Sequence, residues 1–230
     1  MQRKIIITGD GSHSIEMEGT NDIYHSRHGA IRESLHVFIN SGLKSILDEY
    51  ETLHIFEMGF GTGLNALLTF IEAEKNSQKI FYETIELFPL EKELSFLLNY
   101  CEELQPQNLK KIFDTMHTCE WGKQIELSAS FYFKKNHSNL TDHLFSSSFN
   151  LIYYDAFAPN TQPELWTKEI FLKLFNALTV NGVLVTYCSK GEVRRNMQAA
   201  GFAVEKLPGP KGKREILRAV KMDRTGIAPD

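Results

Sequence analysis

The feature that most constrains this 230-residue chain is the run Ile55 to Leu64, IFEMGFGTGL, with Leu67, Leu68 and Ile71 continuing from Leu64 at helical spacing. An apolar strand that ends in alternating glycines and enters a helix at once is a strand–turn–helix unit rather than half of a hairpin. The same alternation recurs downstream. Ile80–Glu86 reads as a strand and Pro89–Tyr100 as a helix. A helix is expected near 106–115, then strands near 124–135 and another near the following loop. Asn150–Asp155 is a strand, Glu164–Leu178 a helix capped by Asn181-Gly182, Val183–Cys188 a strand and Glu192–Ala200 a helix. Phe202–Leu207 and Arg214–Val220, joined by PGPKGK, form an antiparallel pair. Upstream, residues 1–20 suit a hairpin around Gly9-Asp10-Gly11, and residues 29–49 carry a helical pattern. Together these predict an α/β fold with a mostly parallel, doubly wound sheet and an antiparallel edge.

The length fits one main domain with a small elaboration. The expected divisions are an amino-terminal extension over 1–50 that covers the active site, a main domain over 51–222, and a tail over 223–230. Hydrophobic residues make up 42% and charged residues 23%, which suits a globular protein. No run of about 18 apolar residues is present, and the amino-terminal apolar stretch is too short for a signal peptide, so a cytoplasmic protein without a membrane span is expected. Cys101, Cys119 and Cys188 lack C-x-x-C spacing, and the histidines are scattered, so no metal site is expected. Residues 187–221 hold nine Lys/Arg against three Glu, which leaves 16 against 26 elsewhere. A basic end on an acidic body points to a polyanionic partner, or is an ordinary solvated surface.

Glu57-Met-Gly59-Phe60-Gly61-Thr62-Gly63 is the candidate cofactor turn. Its third glycine comes one residue too early for the dinucleotide fingerprint G-x-G-x-x-G. An acid followed by G-x-G-x-G resembles the first motif of class I S-adenosylmethionine-dependent methyltransferases, which are Rossmann-like. An acid at Glu57 suits a ligand with a sulfonium and an amino group better than a phosphate. Glu86, 23 residues after Gly63, ends the next strand, where a carboxylate can accept both ribose hydroxyls.

Leu151 to Trp166, LIYYDAFAPNTQPELW, is a second strand that stops on an acid. Ligands in such sheets sit beyond the carboxyl ends of strands. A primary amine has a pKa of about 10 and an unperturbed Asp about 3.9, so Asp155 is a poor base unless its site raises that value. Asp155-Ala-Phe-Ala-Pro159 resembles the acid-aromatic-proline cluster of amino-methylating enzymes of this fold, and that resemblance implies that Asp155 positions an accepting amine first and accepts a proton second. Phe157 can stack on a flat substrate. Lys190, Arg194 and Arg195 flank the next strand end and are the first choice for phosphate contact.

The ordered set of motifs resembles a known family. The matching pieces are Asp22-Ile-Tyr24-His-Ser26, Glu33-Ser34-Leu-His-Val-Phe38, Phe56 through Asn65, Tyr154-Asp-Ala-Phe-Ala-Pro159, Thr186 through Arg195, and Gly201 through Glu215. The family is the methyltransferase that completes 5-methylaminomethyl-2-thiouridine at the wobble position of bacterial tRNAs. The resemblance implies a seven-stranded, mostly parallel sheet. It implies methyl transfer from S-adenosylmethionine to the exocyclic amine of 5-aminomethyl-2-thiouridine, with Asp155 as the acid. Tyr24 and Ser34 would help close the cofactor site, and Phe157 and Pro159 would flank the substrate. In many bacteria the domain is fused to an FAD-dependent oxidoreductase, and this chain looks like the stand-alone form, which leaves a separate FAD-dependent enzyme as a partner. Where many members carry an acid for the adenine amino group, this chain has Asn139, whose carbonyl could accept the same hydrogen bond. Two alternatives stay open: another amine-alkylating enzyme of this fold, such as a polyamine aminopropyltransferase, and a non-catalytic module that binds cofactor or RNA.

Overall fold

A computed structural model describes residues 3–19, 22–106, 108–146 and 148–223. The expected tail lies, from residue 224 onward, outside the described residues. The hairpin expected around Gly9-Asp10-Gly11 forms: β1 (Arg3–Ile7) pairs antiparallel with β2 (His13–Met17) as a separate two-stranded sheet. Residues 29–49 are not one regular helix. They begin as α1 (Ala30–Ser34), widen into a π-helical stretch over Leu35–Asn40 and end in two 3-10 turns. The Ser41 hydroxyl and amide both donate to His36 O, which diverts the ordinary helical ladder. Gly42 then packs so close that a Cβ there would lie 2.9 Å from Val185 and 3.3 Å from Tyr153.

The main sheet starts at β3 (Thr52–Met58), which leads through α2 (Leu64–Asn76) to β4 (Lys79–Glu86). The single helix expected over Pro89–Tyr100 is two short ones, α3 (Lys92–Ser95) and α4 (Tyr100–Leu104). Asn99 separates them because its carboxamide holds the hairpin, accepting from His13 N at 2.7 Å and donating to Gly11 O at 2.9 Å. After α5 (Leu109–Thr118) come β5 (Ile125–Ser128) and β6 (Phe131–His137), and the next strand is β7 (Phe149–Tyr154). The extra strand expected in the loop after β6 is absent among the described residues. α6 (Lys168–Ala177) passes directly into β8 (Leu178–Thr186), so Asn181-Gly182 is not a helix cap. It bends the strand instead, with Asn181 at φ 64 and its amide bonded to Lys221 O. α7 (Gly191–Ala199), β9 (Ala203–Pro208) and β10 (Glu215–Val220) complete the described chain.

The sheet order is β5-β6-β4-β3-β7-β8-β10-β9. Five central strands run parallel, and β10 and β9 form the antiparallel edge that was expected. The antiparallel strand β5 at the other margin makes eight strands rather than seven. Period-two alternation gives each face its own core. Phe56, Ile152, Tyr154 and Leu184 face α6 and α7, while Ile55, Tyr82, Tyr153 and Val185 face α2 and the amino-terminal segment. The chain leaves β3 toward β4 on one side and returns to β7 on the other, so a topological switch point lies between β3 and β7. Phe133 of β6 is fully buried, with Tyr82 stacked beside it and the Phe60 ring tilted against it. Phe133→Ala should cost about 3–5 kcal/mol of stability in urea unfolding, because it opens a cavity directly beneath the glycine turn.

Candidate active site

The turn after β3 and the acid after β7 meet at the switch point. Asp155 N donates to Met58 O at 3.1 Å, and a Cβ on Gly59 would lie 3.0 Å from Asp155 O. Gly59, Gly61 and Gly63 have φ of 90°, 51° and 77°, a region that other residues enter at a cost. The turn is also held from outside. Gly59 N and Phe60 N both donate to Ile85 O at 3.1 Å, and Gly61 N donates to Glu86 Oε2 at 3.0 Å. Glu86 Oε1 takes the Phe88 amide at 2.9 Å, so this carboxylate spans two loops while keeping lone pairs for a ligand.

These residues open on a cavity of about 1330 Å³, larger than the roughly 300–1,000 Å³ of a typical single-ligand pocket. Gly59, Phe60, Gly61, Thr62 and Glu86 lie on one side of it and Asp155 and Phe157 on another. Tyr24 bridges the two: its ring packs against Gly61 and meets Phe157 edge to face at 5.1 Å. The Phe60 side chain turns away into the core against His117, so only its backbone serves the site.

Asp155 accepts a hydrogen bond from Asn65 Nδ2 at 2.9 Å. Loss of solvent pushes its carboxyl up to about 7, the Glu33 charge adds to this, and Asn65 and Lys213 oppose it. Thus the aspartate has the proton affinity that an ordinary one lacks. Glu57 differs from the sequence expectation. Alternation along β3 turns it under the sheet toward α2, fully buried, with no hydrogen-bond partner for either carboxyl oxygen. Burial pushes it up to about 8 and the Thr84 hydroxyl tempers the rise. Its carboxyl lies off the cavity wall.

Other expectations also change. Ser34 is fully buried behind the cavity wall, and Gly63 is covered by His117 and Phe60. Asn139 lines the cavity, and its side-chain oxygen accepts the Thr141 amide at 3.1 Å while keeping a second lone pair. Pro159 is half-buried in the loop that follows Phe157, off the cavity wall. Lys190, Arg194 and Arg195 also stand away from the wall, and Lys190 donates to Asn160 Oδ1 at 2.7 Å. Much of the basic end is engaged within the fold: Lys206 pairs with Glu215, Arg218 with Glu205 and Lys213 with Glu33. Sequence reading passed over Asn65, Glu33 and Lys213, all on the cavity wall. Asn65 carried a usable signal, a polar residue in the otherwise apolar first turn of α2. Glu33 and Lys213, 180 positions apart, carried none that joined them.

A glycine turn pressed against its neighbours, a carboxylate at the next strand end and an acid facing the same cavity define a cofactor site of the class I methyltransferase kind. A family model described as S-adenosyl-L-methionine-dependent methyltransferase matches residues 100–222, more than half the chain, and the chain belongs to that family. It is 30% identical over 225 residues to the tRNA 5-methylaminomethyl-2-thiouridine biosynthesis bifunctional protein MnmC of Campylobacter hominis, across 93% of this chain and 32% of that protein. The chain thus spans about a third of the length of the curated relatives it matches. Among solved structures it superposes on MnmC2 from Aquifex aeolicus with a TM-score of 0.78 at 23% identity, covering 100% of this chain and 73% of that one. Spermidine synthase from Thermotoga maritima follows the same fold at a TM-score of 0.59 and 14% identity, covering 95% and 69%.

The buried acids have a thermodynamic consequence. Glu57 holds its proton to about 8 when folded, against an ordinary value of 4.5, so the folded state binds more protons between these limits. Stability should therefore fall as pH rises across that window. Glu57→Gln should flatten the fall, as read by urea midpoints from pH 4.5 to 8.5. Gly61→Ala, which meets Tyr24 at 3.2 Å with φ at 51°, should cut S-adenosylmethionine affinity by about tenfold or more in calorimetry.

Proposed function

We propose that this chain methylates the exocyclic amine of 5-aminomethyl-2-thiouridine at the wobble position of tRNA, giving 5-methylaminomethyl-2-thiouridine. The observation that carries the reading is Asp155, a carboxyl with raised proton affinity at the wall of a cavity wide enough for two reactants, beside the glycine turn. The relatives whose names state this modification support the choice of substrate.

The backbone of Gly59 to Thr62 and the Glu86 carboxylate would hold the cofactor, with Tyr24 closing over Gly61. Bound there, S-adenosylmethionine supplies a methyl group activated by a positively charged sulfur. Asp155, oriented by Asn65, accepts a hydrogen bond from the accepting amine and fixes the direction of its lone pair. It would take the amine proton as the methyl group passes from sulfur to nitrogen, the sulfur–methyl bond breaking to leave a neutral thioether, and its raised affinity brings it closer to the amine in proton-transfer balance. Phe157 and Tyr24 offer aromatic faces to the uridine. Residues 1–50 serve as a cover on the domain of 51–222: Thr161 donates to Asp22 at 2.6 Å, and Arg3 donates to the Phe88 and Pro89 carbonyls at 2.7 and 2.8 Å. Lys190, Arg194, Arg195, Lys211 and Arg214 make no ion pair among the described residues, and they form the face offered to the anticodon stem-loop. Such an enzyme works in the cytoplasm on an aminomethyl substrate that FAD-dependent chemistry supplies. Among the described residues, no helix is long and apolar enough to cross a membrane and no cluster could hold a metal.

The purified protein should transfer label from S-adenosylmethionine to the wobble nucleoside of tRNA bearing 5-aminomethyl-2-thiouridine and not to unmodified tRNA. Label in neither pool would refute the assignment. Turnover should rise through an acid limb near pH 7, since the carboxylate form of Asp155 is the acceptor. Asp155→Ala should lose most turnover, about 100-fold or more, while calorimetry finds cofactor affinity preserved. Reversing the charge at Arg194 and Arg195 should weaken tRNA binding and lower its salt dependence, measured by titration at several ionic strengths.

A further inference from the structure

The cavity wall holds a second carboxylate and a cation that the proposed chemistry does not use. Glu33, in α1, is buried; its Oε1 accepts the Ser26 amide at 3.0 Å and its Oε2 lies 2.6 Å from Lys213 Nζ. Lys213 comes from the β9–β10 turn, and its ammonium sits 4.0 Å from the centre of the Tyr187 ring. The Tyr187 hydroxyl in turn donates to Ala156 O at 2.9 Å, on the residue after Asp155. Glu33, Lys213 and Asp155 therefore line one cavity, and the Lys213 charge acts on both acids. The turn that carries Lys213 is fixed from the same amino-terminal segment. His36 Nε2 lies 2.8 Å from Pro208 O, and the His28 ring packs so tightly on Gly212 that a Cβ there would overlap it.

We propose that Glu33 is a positioning residue for the transfer reaction: by holding the Lys213 ammonium in an ion pair, it keeps that cation off Asp155 and leaves the Asp155 carboxylate open to the accepting amine. This rests on the amine-methylation reading above. A lysine paired with Asp155 would occupy the place of the substrate amine and lower the carboxylate's proton affinity. Asp155 is faced by Glu33 from α1, Lys213 from the turn, Glu57 from β3, Tyr82 from β4, Tyr187 beyond β8 and Asn65 from α2, while His25 lies beside Glu33 and Lys213. Of these, Lys213 is the one cation, and Glu33 is the one anion paired with it.

The test is suppression of one substitution by another. Glu33→Gln keeps an acceptor for the Ser26 amide and removes the charge that holds Lys213. With tRNA bearing 5-aminomethyl-2-thiouridine, kcat/KM should fall about tenfold at neutral pH and the acid limb should move down by about one pH unit, with cofactor affinity unchanged. Adding Lys213→Met should restore most of the turnover and return the limb toward its original position. A pair that merely ties α1 to the turn predicts no movement of the limb and no recovery in the double variant, and either result overturns the proposal. A second readout needs no substrate. With ¹³C-labelled aspartate, the Asp155 carboxyl, assigned through Asp155→Asn, should titrate lower in Glu33→Gln and recover in the double variant. If the Gln variant does not fold, Glu33→Asp should show the same displacement to a smaller degree, again reversed by Lys213→Met. Wild-type protein that transfers no methyl to tRNA defeats the substrate reading alone, and the carboxyl titration still decides the role of Glu33.

Discussion

The parallel pairing of β3 with β7 is the contact on which the site depends. Met58 and Tyr154 are register partners, so the residues after them, Gly59 and Asp155, leave the sheet side by side. One backbone hydrogen bond, Asp155 N to Met58 O, then fixes the distance between the cofactor turn and the acid. Neither loop could hold this geometry alone, because a glycine-rich turn is flexible unless its neighbours confine it. Ile85 O and Glu86 supply that confinement from β4 on the other side. The central strands are buried on both faces, so the ends that carry the chemistry inherit the rigidity of the core.

Burial also supplies the reactivity. Asp155 and Glu57 both lose solvent, and both carboxyls rise well above the ordinary range, yet their surroundings give them different tasks. Asp155 faces the cavity and has Asn65 as a donor. Glu57 lies under the sheet beside the Thr84, Tyr82 and Asn65 side chains, and its oxygens remain without partners. Placing a second acid, Glu33, on the same wall would be costly without Lys213, which neutralises it within the protein. The basic character of the carboxyl-terminal part is thus divided between closing the site and presenting cations outside it.

The glycine turn, the strand ending on Asp155, and the placing of Glu86 at the end of the next strand were legible because each depends on local spacing. The errors came where a side chain answered to something distant. Asn99 broke an expected helix because the hairpin needed its carboxamide, and Ser41 with Gly42 redirected another against Tyr153 and Val185. Glu57 read as a ligand contact because its neighbours in sequence are the turn glycines, while the pleat buries its side chain against α2, off the cavity wall.

The sequence by itself determined the alternation of strands and helices, the conformation demanded at Gly59, Gly61 and Gly63, and the identity of the acid at the end of β7. Hydrophobic period and backbone sterics act over a few residues, so these are written locally. Only the tertiary structure decided which carboxylate faces the cavity, that Asn65 orients Asp155, that Tyr24 covers the turn, and that Glu33 keeps Lys213. Those outcomes depend on burial and on ion pairs between segments up to 180 positions apart, and electrostatics of this kind exist only once folding has removed the water between them.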